Sequence, residues 1–236
     1  MKLHNLFLRV LLLAGISGIL CNLAFGSSGI TIDYDSTTRN NRIYSVDFIT
    51  GVASSPVAVS FNGSGWSSLA IDVDADRFYI ITSDQSIYTF DLATRLPLKQ
   101  AKLLPSIPRI SEIVTVKSGV VMGLRSDNGE IYDIYPSSGL NEPFASSGSN
   151  NIVRNTFTSD IARGKFYVIT DYNMLHIFDS LTGDKTVKQL DIGSATVYFL
   201  SVTLVANGNL VARASDGNFY IIDPSSGTSQ ILNTTA

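Results

Sequence analysis

The side chains that could carry nucleophilic or metal chemistry are few. The chain has two histidines and one cysteine, and His4 and Cys21 both lie within the first 26 residues, which leaves His176. Ser–His–Asp and Cys–His catalysis need a base beside the nucleophile, and a zinc site needs several nitrogen or sulfur ligands. We therefore predict no such catalytic residue, no metal site and no cofactor. Tyr132 and Tyr220 stand 44 residues before and after His176, which indicates that this histidine fills a half-buried packing position.

Carboxylates are the remaining candidates for catalysis or ion binding. Aspartate and glutamate are scattered over the whole chain, so a hydrolase that uses a pair of carboxylates stays open. The alternating acids of Asp72–Asp76 resemble the start of a calcium loop. Such a loop needs glycine at position six and glutamate at position twelve, where this chain has Arg77 and Ser83. The stretch is better explained as a hairpin turn, and Asp33 and Asp35 form a second, shorter acidic pair.

Two arginines interrupt an apolar pattern. Ile81, Arg125, Ile169 and Arg213 follow one another at a spacing of 44 residues. They are either surface arginines whose stems pack on the protein, or two cations that face a shared cleft for an anionic ligand. Aromatic and arginine side chains are common anchors of interfaces. The predicted binding residues are Trp66, Arg109, Arg125, Tyr172 and Arg213. Of these, Trp66, Arg109 and Tyr172 are expected on one loop face together with the hairpin residues Asp84, Asp127, Asp171 and Asp216.

These residues lie on a repeated framework. One nine-residue phrase occurs five times at a spacing of 44 residues: IYSVDFITG (43–51), IYTFDLATR (87–95), IYDIYPSSG (131–139), LHIFDSLTG (175–183) and FYIIDPSSG (219–227). Large side chains at alternate positions indicate a strand, and Asp-x-x-(Ser/Thr)-Gly indicates a tight turn in which glycine accepts positive φ. A fixed period of this length is typical of propellers and solenoids.

Further strands surround each phrase. Two precede it, separated by short links rich in Asp, Asn and Gly, and a weaker one follows, which gives four antiparallel strands per repeat. We predict an all-β protein, a β-propeller of about five blades. A β-solenoid is the alternative, but its coils are usually shorter and contain no hairpins.

The first and last repeats predict how the ring begins and closes. No innermost strand is apparent before the first phrase, because Ile30–Tyr34 is short and Ser36–Arg42 is polar. The first blade is therefore expected to be incomplete, or to be completed from elsewhere in the chain. Closed propellers remove exposed sheet edges. The strands at Ile30–Tyr34 and Ser229–Asn233 are the candidates for one shared blade.

Residues 1–26 have the composition of a secretory signal peptide. Lys2 and Arg9 precede the apolar run Val10–Leu20, and Ala24 and Gly26 are the small residues expected before a cleavage site. An uncleaved anchor and a lipoprotein attached through Cys21 are the alternatives. Residues 27–236 would form a single propeller domain in the periplasm or outside the cell, with no disulfide and no membrane span after cleavage.

The charge balance argues against nucleic acid and anionic membranes as partners. Without Lys2 and Arg9, 15 basic and 20 acidic residues remain, a net charge of −5, and no cluster of basic residues stands out. Nucleic acid is therefore not expected as a partner.

The phrase Tyr-x-Val-Asp-x-x-Thr-Gly at Tyr44–Gly51 resembles the repeat of bacterial quinoprotein-like and YVTN-type β-propellers. The resemblance covers nearly all of residues 27–236 and implies a non-catalytic, exported propeller. Quinoprotein enzymes carry a tryptophan shortly after the glycine, whereas the only tryptophan here, Trp66, lies outside the phrase. No quinone or calcium site of that family can be placed on this sequence.

We predict an interaction or scaffold module that presents one loop face to a protein partner or a small ligand. The alternatives are a lectin-like propeller that binds glycans between its blades and a carboxylate-dependent hydrolase. The oligomeric state does not follow from the sequence.

Overall fold

A computed structural model describes residues 28–35, 40–47, 52–61, 65–104, 109–117, 119–149, 151–153, 155–192, 197–205 and 207–232. The expected signal peptide, residues 1–26, lies outside this part. The regular secondary structure of this part is β-strand apart from one turn of 3-10 helix at Asp171–Asn173, as its β-branched and aromatic residues at alternate positions favour. No helix in these ranges is long and apolar enough to cross a membrane.

The strands form five sheets in chain order, each a meander of neighbouring antiparallel strands. The first sheet contains β1 (Ser28–Asp35), β2 (Asn40–Asp47) and β3 (Val57–Val59). The second contains β4 (Trp66–Asp72), β5 (Arg77–Thr82), β6 (Ser86–Asp91) and β7 (Pro97–Lys102), and the third β8 (Glu112–Lys117), β9 (Val120–Leu124), β10 (Glu130–Tyr135) and β11 (Leu140–Ser146). The fourth contains β12 (Thr158–Asp160), β13 (Lys165–Thr170), β14 (Met174–Asp179) and β15 (Lys185–Gln189), and the fifth β16 (Phe199–Leu204), β17 (Leu210–Ala214), β18 (Phe219–Ile222) and β19 (Ser229–Ile231).

Burial falls from the first strand of a sheet to the last. In the second sheet, β4 and β5 are almost wholly buried and β7 is almost wholly exposed. The fourth sheet repeats this with a buried β13 and an exposed β15. This gradient is that of a propeller blade, in which the first strand lies inside the ring and the fourth at the rim. The predicted five-bladed β-propeller is confirmed.

The core consists of four apolar clusters, and each lies between two consecutive sheets. The first and second sheets share a cluster that includes Ile32 and Phe78, and the fourth and fifth share one that includes Tyr167, Phe199 and Tyr220. Two further clusters join the second sheet to the third and the third to the fourth. Each sheet therefore buries its faces against its neighbours, and none of these clusters of described residues joins the fifth sheet to the first.

The first sheet differs from the others as the sequence predicted. Within the described residues it has three strands, equivalent to the second, third and fourth strands of the other sheets. The prediction that the two terminal strands share one blade is wrong. β19 pairs with β18 because the turn of Asp223–Gly227 returns the chain directly onto it, and β1 pairs with β2 over its full length.

Candidate functional site

The links between sheets and the hairpins between second and third strands lie at one end of the propeller, here called the hairpin face. Main-chain hydrogen bonds join them: Ser83 N donates to Gly65 O over 2.7 Å, and Ser215 N donates to Tyr198 O over 2.8 Å. Side chains add to these contacts, since Gln85 accepts from Ile110 N and donates to Ile110 O. These bonds hold the loops of this face in place.

The described hairpins of this face share one backbone feature. Gln85, Gly129, Asn173 and Gly217 stand 44 residues apart and all adopt positive φ. In the fourth sheet a second residue, Tyr172, is also left-handed, with φ of 59°. This conformation is unfavourable for a bulky side chain, and residues held in it often lie at functional sites.

Tyr172 is the most exposed aromatic side chain of the described chain, with 83% of its surface accessible. Its loop is nevertheless fixed, because Gln189 Nε2 donates to Tyr172 O over 2.8 Å and Leu190 N donates to Asn173 O over 3.0 Å. Asn173 Nδ2 donates in turn to Val197 O in the next link over 2.9 Å. An exposed ring on a fixed loop can contact a partner without a large loss of conformational entropy.

Tyr198 lies beside this loop and was missed by the sequence analysis. It directly follows Val197, is 55% exposed, and is bonded through its main chain to Ser215 in the fifth sheet. A signal was available, because Tyr198 occupies the repeat column of Trp66, three periods later. Tyr172 and Tyr198 form the candidate site, which we call the tyrosine pair.

Three other predicted binding residues lie outside the tyrosine pair, Trp66 and Arg109 at the hairpin face beside other sheets and Arg213 on a strand of the fifth sheet. Trp66 is half-buried and packs against the cluster between the first and second sheets, whereas Arg109 is exposed in the link before β8. Arg213 is exposed on β17. No hydrogen bond, ion pair or ring contact within the described chain joins any two of the five predicted residues. Their role in binding stays a prediction.

Arg125 is paired with acids of its own hairpin. Its guanidinium donates to Asp127 over 2.8 and 3.1 Å and to Glu130 over 2.7 Å. Tyr132 also donates to Glu130 over 2.6 Å, and this hydrogen bond lowers the pKa of that carboxyl. Most of the charge of Arg125 is therefore compensated within the protein.

The shared column of Arg125 and Arg213 does not exist in the structure. Arg213 pairs with Phe219 in the fifth sheet. Ile131 has the position of Phe219 in the third sheet, but it pairs with Leu124 and not with Arg125. The cause is a β-bulge in β8 between Thr115 and Lys117, which shifts the pairing of β8 with β9 by one residue. Arg125 therefore lies one position beyond the strand, and Arg213 alone replaces an apolar residue.

Two buried carboxylates link neighbouring sheets. Glu112 accepts from Asn155 N over 2.8 Å and from Phe157 N over 3.1 Å. Asp72 accepts from Gly119 N over 2.6 Å and from Ala75 N over 3.0 Å. Asp72 thus caps the first hairpin turn, as predicted for this stretch. Across the described ranges no group of three or more His, Cys, Asp or Glu residues is placed to hold a metal ion.

His176 is buried in the fourth sheet with 7% of its surface exposed, as its place in a tyrosine column predicts. Its ring lies 6.4 Å from that of Phe178, and Nε2 is 3.4 Å from the Thr170 hydroxyl. Burial, assisted by Lys185, lowers the pKa of His176. The neutral ring fills a packing position between sheets.

A shallow groove of about 400 Å³ lies at the rim between the first and second sheets. Ala58 and Ser60 line one side, Pro97 and Lys99 the other, and Tyr88 lies at its floor. None of the predicted binding residues lines it.

Comparisons with known proteins identify the fold. No protein-family model matches the chain, and no curated protein sequence matches it. A solved structure of YCF48 bound to a D1 peptide matches 90% of this chain and 74% of that chain, at 10% identity and a TM-score of 0.56. A crystal structure of a nidogen/laminin complex matches 92% of this chain and 78% of that chain, at 13% identity and a TM-score of 0.63. At these identities the similarity is one of β-propeller fold.

Proposed function

We propose that this protein is a non-catalytic interaction module that binds a protein partner through its hairpin face. The observation that carries the proposal is the tyrosine pair, two exposed rings on loops that are hydrogen-bonded to each other and to the sheets. Large aromatic side chains supply much of the binding energy in protein interfaces. The propellers of YCF48 and nidogen are seen with protein or peptide partners, which supports this function by analogy of fold alone.

The same proposal includes export to the periplasm or the cell exterior and membership of the quinoprotein-like and YVTN-type propellers. It rests on the composition of residues 1–26 and on the repeated phrase. Sequencing the N-terminus of protein secreted by its host would test export, since cleavage before Ser27 is the expected result. An intact N-terminus would contradict it.

Photo-crosslinking tests the interaction function. A photoreactive amino acid replaces Tyr172 in one variant and Tyr135 in a control variant. Tyr135 is 38% exposed at the end of β10, at the opposite end of the sheet from the hairpin face. We expect one protein to be cross-linked reproducibly from Tyr172 and not from Tyr135 in extracts of the host envelope. Equal labelling from both positions, or none, would contradict the proposed surface.

A further inference from the structure

We propose that the tyrosine pair binds a cationic side chain, arginine or lysine, of the partner protein. This inference rests on the proposed function and specifies its partner. It follows from two carboxylates, Asp171 and Asp216, which lie in the loops that carry or bond the two tyrosines. Aromatic faces attract cations through their quadrupole, and adjacent carboxylates supply the opposite charge.

Chain connectivity and main-chain hydrogen bonds place each acidic residue in, or bonded to, the loop that carries one tyrosine. Asp171 directly precedes Tyr172 in its hairpin. Asp216 directly follows Ser215, whose main chain and hydroxyl are both bonded to the main chain of Tyr198. The 2.9 Å bond from Asn173 to Val197 connects the two halves of this site.

Both carboxylates are held in position and remain available to a cation. Asn151 Nδ2 donates to Asp171 over 2.8 Å. Asp216 accepts from the main chain and the side-chain amide of Asn218, each over 2.9 Å, and from Tyr220 over 2.8 Å. The hydrogen bonds from Asn218 lower the pKa of Asp216, so this carboxyl is ionised at neutral pH. Neither acid forms an ion pair with another described residue.

The rest of the hairpin face lacks this combination. Asp84 is paired with Lys102 over 3.1 Å, and Asp127 with Arg125 over 2.8 Å. Arg213 is the nearest cation in sequence to Asp216, but it alternates with Ala212 and Ala214, which pack toward the fourth sheet. It therefore projects from the opposite side of the fifth sheet. Unpaired negative charge and exposed aromatic rings coincide only at the tyrosine pair among the described residues of this face.

A peptide titration tests the charge requirement. The probe is a fluorescent peptide with four arginines separated by Gly-Ser, and its matched control carries citrulline, which is uncharged and nearly isosteric, in place of arginine. We expect the full-length protein to bind the arginine peptide at least about tenfold more tightly, as an ion pair combined with cation–π contacts would give. Equal affinity for both peptides, measured by fluorescence anisotropy, would overturn the inference.

Variants test the location. Replacing both rings (Tyr172→Ala with Tyr198→Ala) should weaken arginine-peptide binding about tenfold, and Asp171→Asn with Asp216→Asn should do the same. The matched controls, Tyr135→Ala and Asp184→Asn, change exposed residues at the other end of the sheets and should leave binding unchanged. Unchanged binding in the double tyrosine variant would show that net negative charge alone attracts the peptide, and would overturn the site.

The two proposals can fail separately. If a partner is cross-linked from Tyr172 and its binding survives removal of its arginines and lysines near the cross-link, the interaction function stands and the cationic inference is overturned. If no partner is cross-linked although the peptide binds with the expected selectivity, the interaction function is contradicted and the cation site stands.

Discussion

At the scale of single residues, the buried polar side chains hold neighbouring sheets together. Glu112 is 7% exposed and accepts from two main-chain amides in the link that leads to the fourth sheet. Its truncation leaves both donors without their acceptor, and one of them, Phe157 N, is buried. We expect Glu112→Ala to lower the free energy of unfolding by about 2–4 kcal/mol, measured by urea denaturation. Glu142→Ala, at an exposed position of β11, is the control and should change it by less than about 0.5 kcal/mol.

Buried tyrosines make the fold sensitive to alkali. Burial, with a smaller contribution from Asp160, raises the pKa of Tyr167 to about 12. The folded state therefore retains a proton that the unfolded chain loses near pH 10. The protonated Tyr167 therefore makes its full contribution to the free energy of unfolding below pH 10. This contribution is lost as the pH rises toward 12, at about 1.4 kcal/mol per pH unit.

We expect Tyr167→Phe to reduce the slope of unfolding free energy against pH between pH 10 and 12. Equal slopes for the wild type and Tyr167→Phe, measured by thermal unfolding at each pH, would contradict this assignment.

At the scale of elements, the turn after each third strand decides how closely two sheets approach. Gly139 adopts φ of 75°, and a Cβ there would overlap the carbonyl oxygen of Lys102 in the preceding sheet. Gly217 has φ of 83°, but a Cβ added there would meet no atom within 4 Å. Comparing Gly139 with Gly217 separates the energetic cost of a left-handed backbone from the cost of the close approach of two sheets. Arg95 occupies the same repeat column as Gly139, also with positive φ, and its guanidinium donates to Ser55 O of the first sheet over 2.8 Å.

Alanine at these two glycines should therefore give unequal costs. Gly217→Ala should destabilise the protein by about 1 kcal/mol, the cost of a left-handed alanine. Gly139→Ala should cost clearly more, because the second and third sheets must also separate. Equal losses in a denaturant titration would show that the close approach contributes nothing.

At the scale of the whole molecule, the two terminal sheets each have one face whose described residues lie outside the four apolar clusters. On the fifth sheet this face carries Val211, Arg213 and Phe219, whose counterparts in the second sheet, Tyr79, Ile81 and Ile87, pack into the next interface. Arginine at the central position places a charge where an apolar interface would otherwise continue. Charged residues on open sheet surfaces oppose association with other chains.

We expect Arg213→Leu to cause concentration-dependent association, detected by sedimentation velocity, because it extends an apolar surface. Arg109→Leu changes an exposed link instead and should leave the sedimentation coefficient unchanged. If Arg213→Leu sediments like the wild type at all concentrations, the charge of Arg213 is not what prevents association through this face.

The sequence repeats by themselves determine the architecture of this protein. A 44-residue period, alternating large side chains and Asp–Gly turns are local properties, and each repeat reports the same four-stranded unit, so the blade and the number of sheets could be predicted. The incomplete first sheet followed from the same frame. The burial of His176 followed as well, because a residue in a repeat column inherits the surroundings of that column.

The candidate site and the roles of the two strand arginines emerged from the packing of the folded chain. The β-bulge in β8 shifts the neighbouring strand β9 by one residue, which separates Arg125 from Arg213 although a fixed spacing aligns them. The tyrosine pair depends on a contact between the fourth sheet's hairpin and the following link, from Asn173 to Val197. Strand registers and contacts between loops arise when sheets pack, and the packing of neighbouring sheets is not encoded in the period of any one repeat.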